Sequence, residues 1–179
     1  WLFDTIALQS KTISGPGIPT PAQWTYTYGA TNNSWLASCP NDSCIGTKTV
    51  EVTGQGEWAR HTFSNRWRKS EGKLIKVEQG TGPTNILKTE ETKYQEDPTN
   101  QRYPAEWGRN PFDRGDNTSQ KVTPVNWRRI TQQGATFTWA VDLTGSTLEF
   151  DSYARPLSTT RTGTIGSLTH TRQDTQTYK

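Results

Sequence analysis

The stretch TLEFDSYARPLSTTRTG, residues 147–163, places an aspartate and an arginine four residues apart across a short polar segment. Such a pair could serve acid–base chemistry or clamp a substrate. Nothing in the sequence supports a second carboxylate or a histidine beside Asp151 and Arg155. Aspartate also closes turns through hydrogen bonds to the neighbouring backbone. We therefore predict a structural turn in which Arg155 reaches across a strand pair, with a partly exposed ion pair contributing about 0–1 kcal/mol.

Nucleophilic catalysis and phosphate chemistry have no recognisable motif in this chain. His61 and His170 each lie in a strand-like segment, and neither a Gly-x-Ser-x-Gly elbow nor a phosphate-cradling glycine motif occurs. We therefore expect no catalytic residue, no cofactor and no enzymatic activity. A deep pocket holding either histidine beside carboxylates would reverse this expectation.

Cys39 and Cys44 flank the segment Pro-Asn-Asp-Ser, which is strong turn chemistry. We favour a disulfide, which a loop-entropy argument values at roughly 2 kcal/mol for so short a ring. It would imply an oxidising compartment. Free thiols are the second interpretation. Half of a metal site is the third and weakest, because a zinc site needs about four ligands and the chain has only two histidines.

Eight tryptophans are spread along the chain, and those in loop-like segments could stack against a sugar ring. These ligand-contact candidates are Trp35, Trp67 and Trp107. Trp107 could equally well anchor its loop to a sheet. Arginine and lysine cluster with tryptophan at 65–73 and 126–130, as in binders of single-stranded nucleic acid. Acidic residues dilute the first cluster, so we expect no nucleic-acid partner.

The composition predicts a β-protein with a modest core. Only 30% of the 179 residues are hydrophobic, yet threonine, valine and large aromatics are frequent, as in half-buried strands. A net charge of +3 implies neither a nucleic-acid nor a membrane partner. No apolar run is long enough for a transmembrane helix. The chain lacks methionine and both ends read as strands, so we interpret it as a piece of a longer protein.

Alternating segments with turns roughly every ten residues predict successive antiparallel β-hairpins that form a curved sheet. We divide the chain into a first hairpin section at 1–95, a proline-rich irregular connection at 96–126 and a second hairpin section at 127–179. All three would belong to one structural unit. The segment 86–95 is rich in Lys, Glu and Thr and is a candidate for an exposed edge strand.

A recurring unit joins the two hairpin sections. Residues 61–80 and 148–163 share an aromatic residue at a strand end, a polar turn, a small residue followed by a base, and then a leucine. The members are Phe63, Gly72, Lys73 and Leu74 in one copy, and Phe150, Ala154, Arg155 and Leu157 in the other. Because Ala154 stands where the first copy has glycine, we expect a turn that needs no left-handed residue there. We also expect the strand after Pro156 to restart one residue late.

These residues resemble the YD repeat of the RHS (rearrangement hotspot) family, which is built around Tyr-Asp, two variable residues and Gly-Arg-Leu. Phe150-Asp151 stands for Tyr-Asp and Ala154-Arg155 for Gly-Arg, whereas Phe63-Ser64 and Gly72-Lys73-Leu74 form the other copy. The resemblance implies a β-ribbon that spirals into a hollow shell around a toxin domain, in a secreted or surface-associated bacterial protein. No catalytic residue of the family has a match here.

The resemblance therefore implies a structural function, as a wall segment that encloses or presents another domain. The partners would be further repeats of the same longer chain and an enclosed toxin or effector domain. A carbohydrate-binding β-module that uses the loop tryptophans is the alternative. It would need those side chains to be exposed to solvent.

Overall fold

The computed structural model describes residues 7–29, 46–66, 69–107 and 120–178. All regular secondary structure in these ranges is β-strand, which confirms the all-β prediction, and they contain no helix that could cross a membrane. The strands are β1 (Ser10–Gly15), β2 (Ile18–Tyr28), β3 (Thr47–Gly54), β4 (Glu57–Ser64), β5 (Leu74–Gly82), β6 (Asn85–Tyr94), β7 (Glu106–Trp107), β8 (Gln120–Lys121), β9 (Val125–Gln132), β10 (Ala135–Val141), β11 (Leu143–Thr144), β12 (Thr147–Leu148), β13 (Ser158–Ile165) and β14 (Leu168–Thr175).

Ten strands form one antiparallel sheet in the order β1-β2-β3-β4-β5-β6-β9-β10-β13-β14. The order follows the chain, so the sheet is a row of successive hairpins, as predicted. β1 and β14 lie at its two edges. The short pairs β7-β8 and β11-β12 lie outside the sheet. Because β6 pairs with β9, the sheet runs through both hairpin sections, and the chain leaves the sheet after Tyr94 and rejoins it at Val125.

Strand β6 lies inside the sheet, between β5 and β9, so the expectation of an exposed edge at 86–95 was wrong. Its charged side chains are matched by their cross-strand neighbours. The carboxylate of Glu91 forms an ion pair with the guanidinium of Arg129, with an N–O distance of 2.5 Å. The ammonium of Lys93 lies 4.6 Å from the ring centre of Trp127. Cross-strand pairs of this kind stabilise a polar sheet face. A charged composition therefore marked a polar face here and not an edge.

Two hairpin turns use the same pair of residue types. Gln55-Gly56 joins β3 to β4 and Gln133-Gly134 joins β9 to β10, and all four residues have positive φ between 49° and 80°. Two consecutive residues with positive φ are what a type I′ turn requires, and its twist matches that of the flanking strands.

The sheet has one threonine-rich face and one more apolar face, because alternate residues of a strand point to opposite sides. A single row of threonines crosses five adjacent strands through Thr89, Thr131, Thr136, Thr164 and Thr169. Some of these hydroxyl groups contact each other, as between Thr164 and Thr169 at 3.1 Å. The other face presents Val50, Val77, Ile130 and Phe137 in one cross-strand row.

The buried core lies where the irregular connection crosses the second hairpin section. Phe150, only 1% exposed, contacts Tyr103 edge to face with ring centres 5.7 Å apart. Val141 completes this buried cluster, and Trp139 and Ala154 pack against it. Tyr103 belongs to the proline-rich connection, so the segment between β6 and β9 supplies a central core residue.

Candidate functional site

The turn from Phe150 to Leu157, called here the second joint, is held by Asp151. The carboxylate of Asp151 accepts hydrogen bonds from the backbone N–H groups of Tyr153 at 2.9 Å and Arg155 at 2.8 Å. Its other oxygen accepts the Nε of Arg155 at 2.7 Å. Burial raises the pKa of Asp151, but these hydrogen bonds outweigh it and hold the pKa below its ordinary value. Asp151 and Arg155 therefore form a turn clamp. Closure of the turn by Asp151 was predicted, whereas Arg155, which we expected to reach across the strand pair, binds Asp151 within the same turn.

Ala154 has a φ of 59°, which lies in the left-handed region. The expectation that this position needs no left-handed residue was therefore wrong. The backbone N–H of Ala154 donates to the carbonyl of Asp151 at 3.1 Å, and the side chain of Asp151 fixes the residues on either side. These contacts outweigh a conformational cost of about 1–2 kcal/mol for a residue with a Cβ. After Pro156, which bridges to Phe150, strand β13 begins at Ser158.

The corresponding turn from Phe63 to Leu74, called here the first joint, has the same backbone closure. Gly72 has a φ of 72°, and its N–H donates to the carbonyl of Ser64 at 2.9 Å. The N–H of Ser64 donates to the carbonyl of Lys73 at 2.8 Å. In the second joint the N–H of Asp151 donates to the carbonyl of Arg155 at 2.9 Å.

The two joints therefore share a specific geometry. In both joints, the backbone N–H of the residue that follows the aromatic donates to the carbonyl of the basic residue. In both, the residue before the basic residue has a left-handed backbone conformation. Phe63 differs from Phe150 in burial, since it is only half-buried on strand β4.

Three tyrosines each close a hairpin by bonding to the chain about twenty residues earlier. The hydroxyl of Tyr94 donates to the carbonyl of Leu74 at 3.0 Å, and that of Tyr178 donates to the carbonyl of Pro156 at 3.1 Å. Both acceptors immediately follow the base of a joint. A third bond of 2.9 Å joins Tyr28 to the carbonyl of Leu8. These three pairs, Tyr28–Leu8, Tyr94–Leu74 and Tyr178–Pro156, are called the tyrosine clasps.

The base of each joint also lies over the ring of its clasp tyrosine. The ammonium of Lys73 is 4.7 Å from the ring centre of Tyr94, and the guanidinium of Arg155 is 3.9 Å from that of Tyr178. Cations at this distance are attracted to an aromatic face by about 0.5–1 kcal/mol at exposed sites. Burial raises the pKa of the Tyr94 hydroxyl above its ordinary value, which favours the protonated form that donates the hydrogen bond to Leu74. Joint and clasp are therefore a single unit.

The first joint also secures the start and the end of the irregular connection. The buried hydroxyl groups of Ser64 and Ser70 lie 2.7 Å apart, and Ser70 donates to the carboxylate of Glu96. The ammonium of Lys73 donates to the carbonyl of Thr123 at 2.8 Å and also bonds the Thr123 hydroxyl. Burial lowers the pKa of Lys73, while Glu96 raises it by a smaller amount.

Ser70 and Lys73 have the Ser-x-x-Lys spacing of some serine hydrolases. Their partners are structural in this turn, because the serine hydroxyl bonds a carboxylate and the ammonium bonds a carbonyl. His61 is half-buried on strand β4 and His170 is exposed on strand β14. In the described ranges, His, Cys, Asp and Glu form no group of three or more that could hold a metal ion.

Of the three candidate tryptophans, Trp107 lies in the described ranges, where it belongs to the short strand β7 and not to a loop. It is 41% exposed and lies stacked against Tyr153, with ring centres 6.4 Å apart and planes inclined by 24°. The guanidinium of Arg155 lies over the ring of Tyr153, 5.1 Å from its centre. The pair borders the second joint and presents aromatic surface to solvent. Trp35, Trp67, Cys39 and Cys44 lie outside the described residues, and so the ligand and disulfide predictions for them remain predictions.

Comparison with known proteins finds no matching family model, no matching curated protein and no matching solved structure. A functional proposal therefore depends on this chain's own residues and geometry.

Sequence reasoning identified the joints but missed the residues that close them. The clasp tyrosines end the similar strings TYTY, ETKY and TQTY, each at the end of a strand or just after it. That recurrence was a usable signal. Thr123 gave no such signal, because it lies in the irregular connection and acquires its partner through the fold.

Proposed function

We propose that this chain is a structural wall segment of a secreted or surface-associated bacterial RHS-repeat protein, which encloses or presents a toxin or effector domain. The observation that carries the proposal is the repetition of one unit along a single sheet. The backbone bond from Ser64 to Lys73 recurs as the bond from Asp151 to Arg155, and each joint has its own tyrosine clasp.

The form of the sheet also supports a wall. Its strands follow chain order, and contacts join mainly neighbouring strands, as in architectures that grow by adding one unit at a time. The core is small for a chain of this length, with Trp58, Tyr103, Val141 and Phe150 as its buried apolar residues among those described. A ribbon of this kind needs neighbours on its apolar face, which further repeats or the enclosed domain would supply.

The polar side of the sheet is suited to face water. Glu51, Arg60, Glu78 and Lys76 form a chain of ion pairs across β3, β4 and β5. Threonine rows continue this polar surface over the later strands. In both kinds of row, polar side chains are partnered by their cross-strand neighbours. We assign this face to the solvent side of the wall.

The experiment is made on the complete gene product that contains this segment. Electron microscopy is expected to show a hollow shell, and limited proteolysis is expected to leave a domain protected until the shell is denatured. Further Tyr-Asp and Gly-Arg repeats beyond Lys179 would agree with this result. A gene product that has no further repeats and no protected domain would contradict the proposal.

A carbohydrate-binding module is the second candidate, and the exposed stack of Trp107 on Tyr153 favours it. Flat aromatic surface beside Arg155 and Asp151 offers both stacking and hydrogen bonds to a sugar. Glycan-array binding that is lost in both Trp107→Ala and Tyr153→Ala would support it. Leu143→Ala alters another exposed apolar side chain and is the control. Absence of glycan binding by the unaltered chain would reject this candidate.

A further inference from the structure

The apolar face of the last four sheet strands carries an open groove that neither the joints nor the clasps use. Its lining includes Ile130, Ala135, Phe137, Ile165 and Leu168, and it encloses about 580 Å³. Ile165 and Leu168 are 71% and 78% exposed. A contiguous patch of large, exposed apolar side chains usually indicates an interaction site.

The groove continues into a second, cationic part. Ile130 and Phe137 also line a neighbouring depression of about 480 Å³, together with Trp139, Arg128 and Arg161. Arg128, Trp139 and Arg161 form one cross-strand row. On strand β10 this row lies two residues beyond Phe137, on the same face of the sheet. The row of Ala135 and the row of Trp139 are four residues apart, or about 13 Å along the strand. One end of this surface is therefore apolar and the other is basic.

The charges around the groove leave an excess of positive charge. The cross-strand rows through Ala135, Phe137 and Trp139, together with the next row beyond Trp139 on the same face, carry four basic and two acidic side chains. The basic ones are Lys88, Arg128, Arg161 and Arg172, and the acidic ones are Glu90 and Asp174. Lys88 pairs with Glu90 at 2.6 Å, and Asp174 is shared by Arg161 and Arg172. Arg128 makes no ion pair within the part of the chain that the structure describes, and it is exposed.

From this arrangement we infer that the groove docks an extended polypeptide segment of a partner, with alternate apolar side chains followed by carboxylates. The apolar side chains lie over Phe137, Ile165 and Leu168, and the carboxylates meet Arg128 and Arg161. The inference goes beyond the wall function, because it depends on the groove and not on the joints.

The openness of the groove decides between classes of occupant. A small amphiphile binds where most of its surface is buried in a concave pocket, and this groove is open along its length. A nucleic acid is held chiefly by many contacts from Lys and Arg to phosphate, whereas two of the three arginines here already share a carboxylate. An acidic peptide with apolar side chains matches both the apolar floor and the limited positive charge.

The test uses the 179-residue chain and a short fluorescein-labelled peptide with leucine at alternate positions and two aspartates at its carboxyl end. Fluorescence anisotropy is expected to show saturable binding. Leu168→Ser should weaken it about tenfold, as loss of contact with one buried leucine implies. Leu143→Ser removes another exposed leucine, from a part of the chain outside the groove, and should leave binding unchanged. Both replaced side chains are exposed, so the fold is expected to survive.

The charge requirement has its own matched pair of variants. Arg128→Gln should weaken binding severalfold, while Arg129→Gln, on the opposite face of β9, should not. A peptide with lysines in place of aspartates should bind weakly. Equal affinity for the two peptides, or no effect of Leu168→Ser, would overturn the inference.

Other occupants would also be recognised. Leu168-dependent binding of laurate, without peptide binding, would assign the groove to an amphiphile. A Leu168-dependent dimer in sedimentation equilibrium would assign it to a second copy of this chain. Leu168-dependent binding to anionic phosphatidylglycerol vesicles, without peptide binding, would assign it to a lipid surface. Each of these results would replace the peptide proposal.

Discussion

The hydroxyl of Tyr94 donates a hydrogen bond of 3.0 Å to the backbone carbonyl of Leu74, which directly follows the base of the first joint. Tyr178 repeats this relationship with Pro156 after the second joint. A side chain at the end of one hairpin thus fixes the backbone at its beginning. The hairpins therefore behave as closed units within the sheet, and the following predictions test how each unit is closed.

Tyr94→Phe and Tyr178→Phe should each lower the free energy of unfolding by about 0.5–1.5 kcal/mol, the usual net contribution of one hydrogen bond. Each change removes the hydroxyl and leaves the ring for Lys73 or Arg155 to contact. Urea denaturation followed by tryptophan fluorescence measures the effect. Tyr153→Phe is the control, because this side chain is 65% exposed. An equal loss in all three variants would show that the clasps contribute nothing specific.

Opposite effects are expected at the two left-handed joint positions. Ala154→Gly should stabilise the chain and Gly72→Ala should destabilise it, each by about 1 kcal/mol, because a Cβ disfavours positive φ. A Cβ at Gly72 would meet no atom within 4 Å, so the effect there is one of backbone conformation alone. Thermal denaturation of both variants measures it. The control is Gly163→Ala, which has equal space but no positive φ; a change at Gly163 as large as at Gly72 would contradict the explanation.

Gly80→Ala should destabilise the β5–β6 hairpin by about 1–3 kcal/mol, the usual cost of overpacking. A Cβ at this position would lie 2.0 Å from the carbonyl oxygen of Asn85, and backbone atoms cannot move aside as a side-chain end can. Hydrogen exchange of the β5 and β6 amides should locate the loss in this hairpin. Gly82→Ala, which meets no atom within 4 Å, should be close to neutral. Unchanged exchange in Gly80→Ala would refute the close approach.

Removing the central aromatic of the second joint should affect the whole C-terminal half of the sheet. Phe150→Ala should cost about 3–5 kcal/mol, as for other buried aromatics, because Phe150 packs against Tyr103 and Val141. Phe63→Ala, at the half-buried equivalent position, should cost less. Guanidinium denaturation compares the two. A larger loss at Phe63 would mean that the core lies under the first joint and not under the second.

The chain should lose stability in acid through two aspartates. Asp142 accepts hydrogen bonds from Thr160, Ser158 and Gln173; burial raises its pKa, but these bonds hold the pKa below the ordinary value of 3.8. The pKa of Asp151 is lowered in the same way. A carboxyl with a lowered folded pKa stabilises the fold above its unfolded pKa, and that contribution is lost as the pH falls through the folded value.

Urea midpoints measured from pH 7 down to pH 2 should therefore fall from about pH 4 downwards. The double variant Asp142→Asn, Asp151→Asn should have a lower urea midpoint at pH 7, and its midpoint should decrease less as the pH falls. Glu57→Gln removes an exposed carboxylate beside the Gln55-Gly56 turn and is the matched control. If the double variant loses as much stability in acid as the unaltered chain, these two carboxyls are not the groups responsible.

The hairpin pattern was predictable because it is written locally. Alternation of residue types sets each strand, and Gln-Gly pairs close two of the hairpin turns, so the sequence predicted strands, turns and their order. The edge assignment of 86–95 failed because an edge and an ion-paired interior strand have the same composition. Only the identity of the neighbours, Arg129 and Trp127 on β9, distinguishes the two. Those neighbours are more than thirty residues away in sequence.

The candidate sites divide in the same way. The sequence by itself determined an all-β chain of successive hairpins and the turn that Asp151 closes, because both depend on residues a few positions apart. Tertiary structure alone decided that Tyr94 and Tyr178 clasp their hairpins, and that Leu168, Phe137 and Arg128 lie along one continuous surface. Each of these depends on strand register, which is set by the summed pairing of whole strands and not by any local pattern.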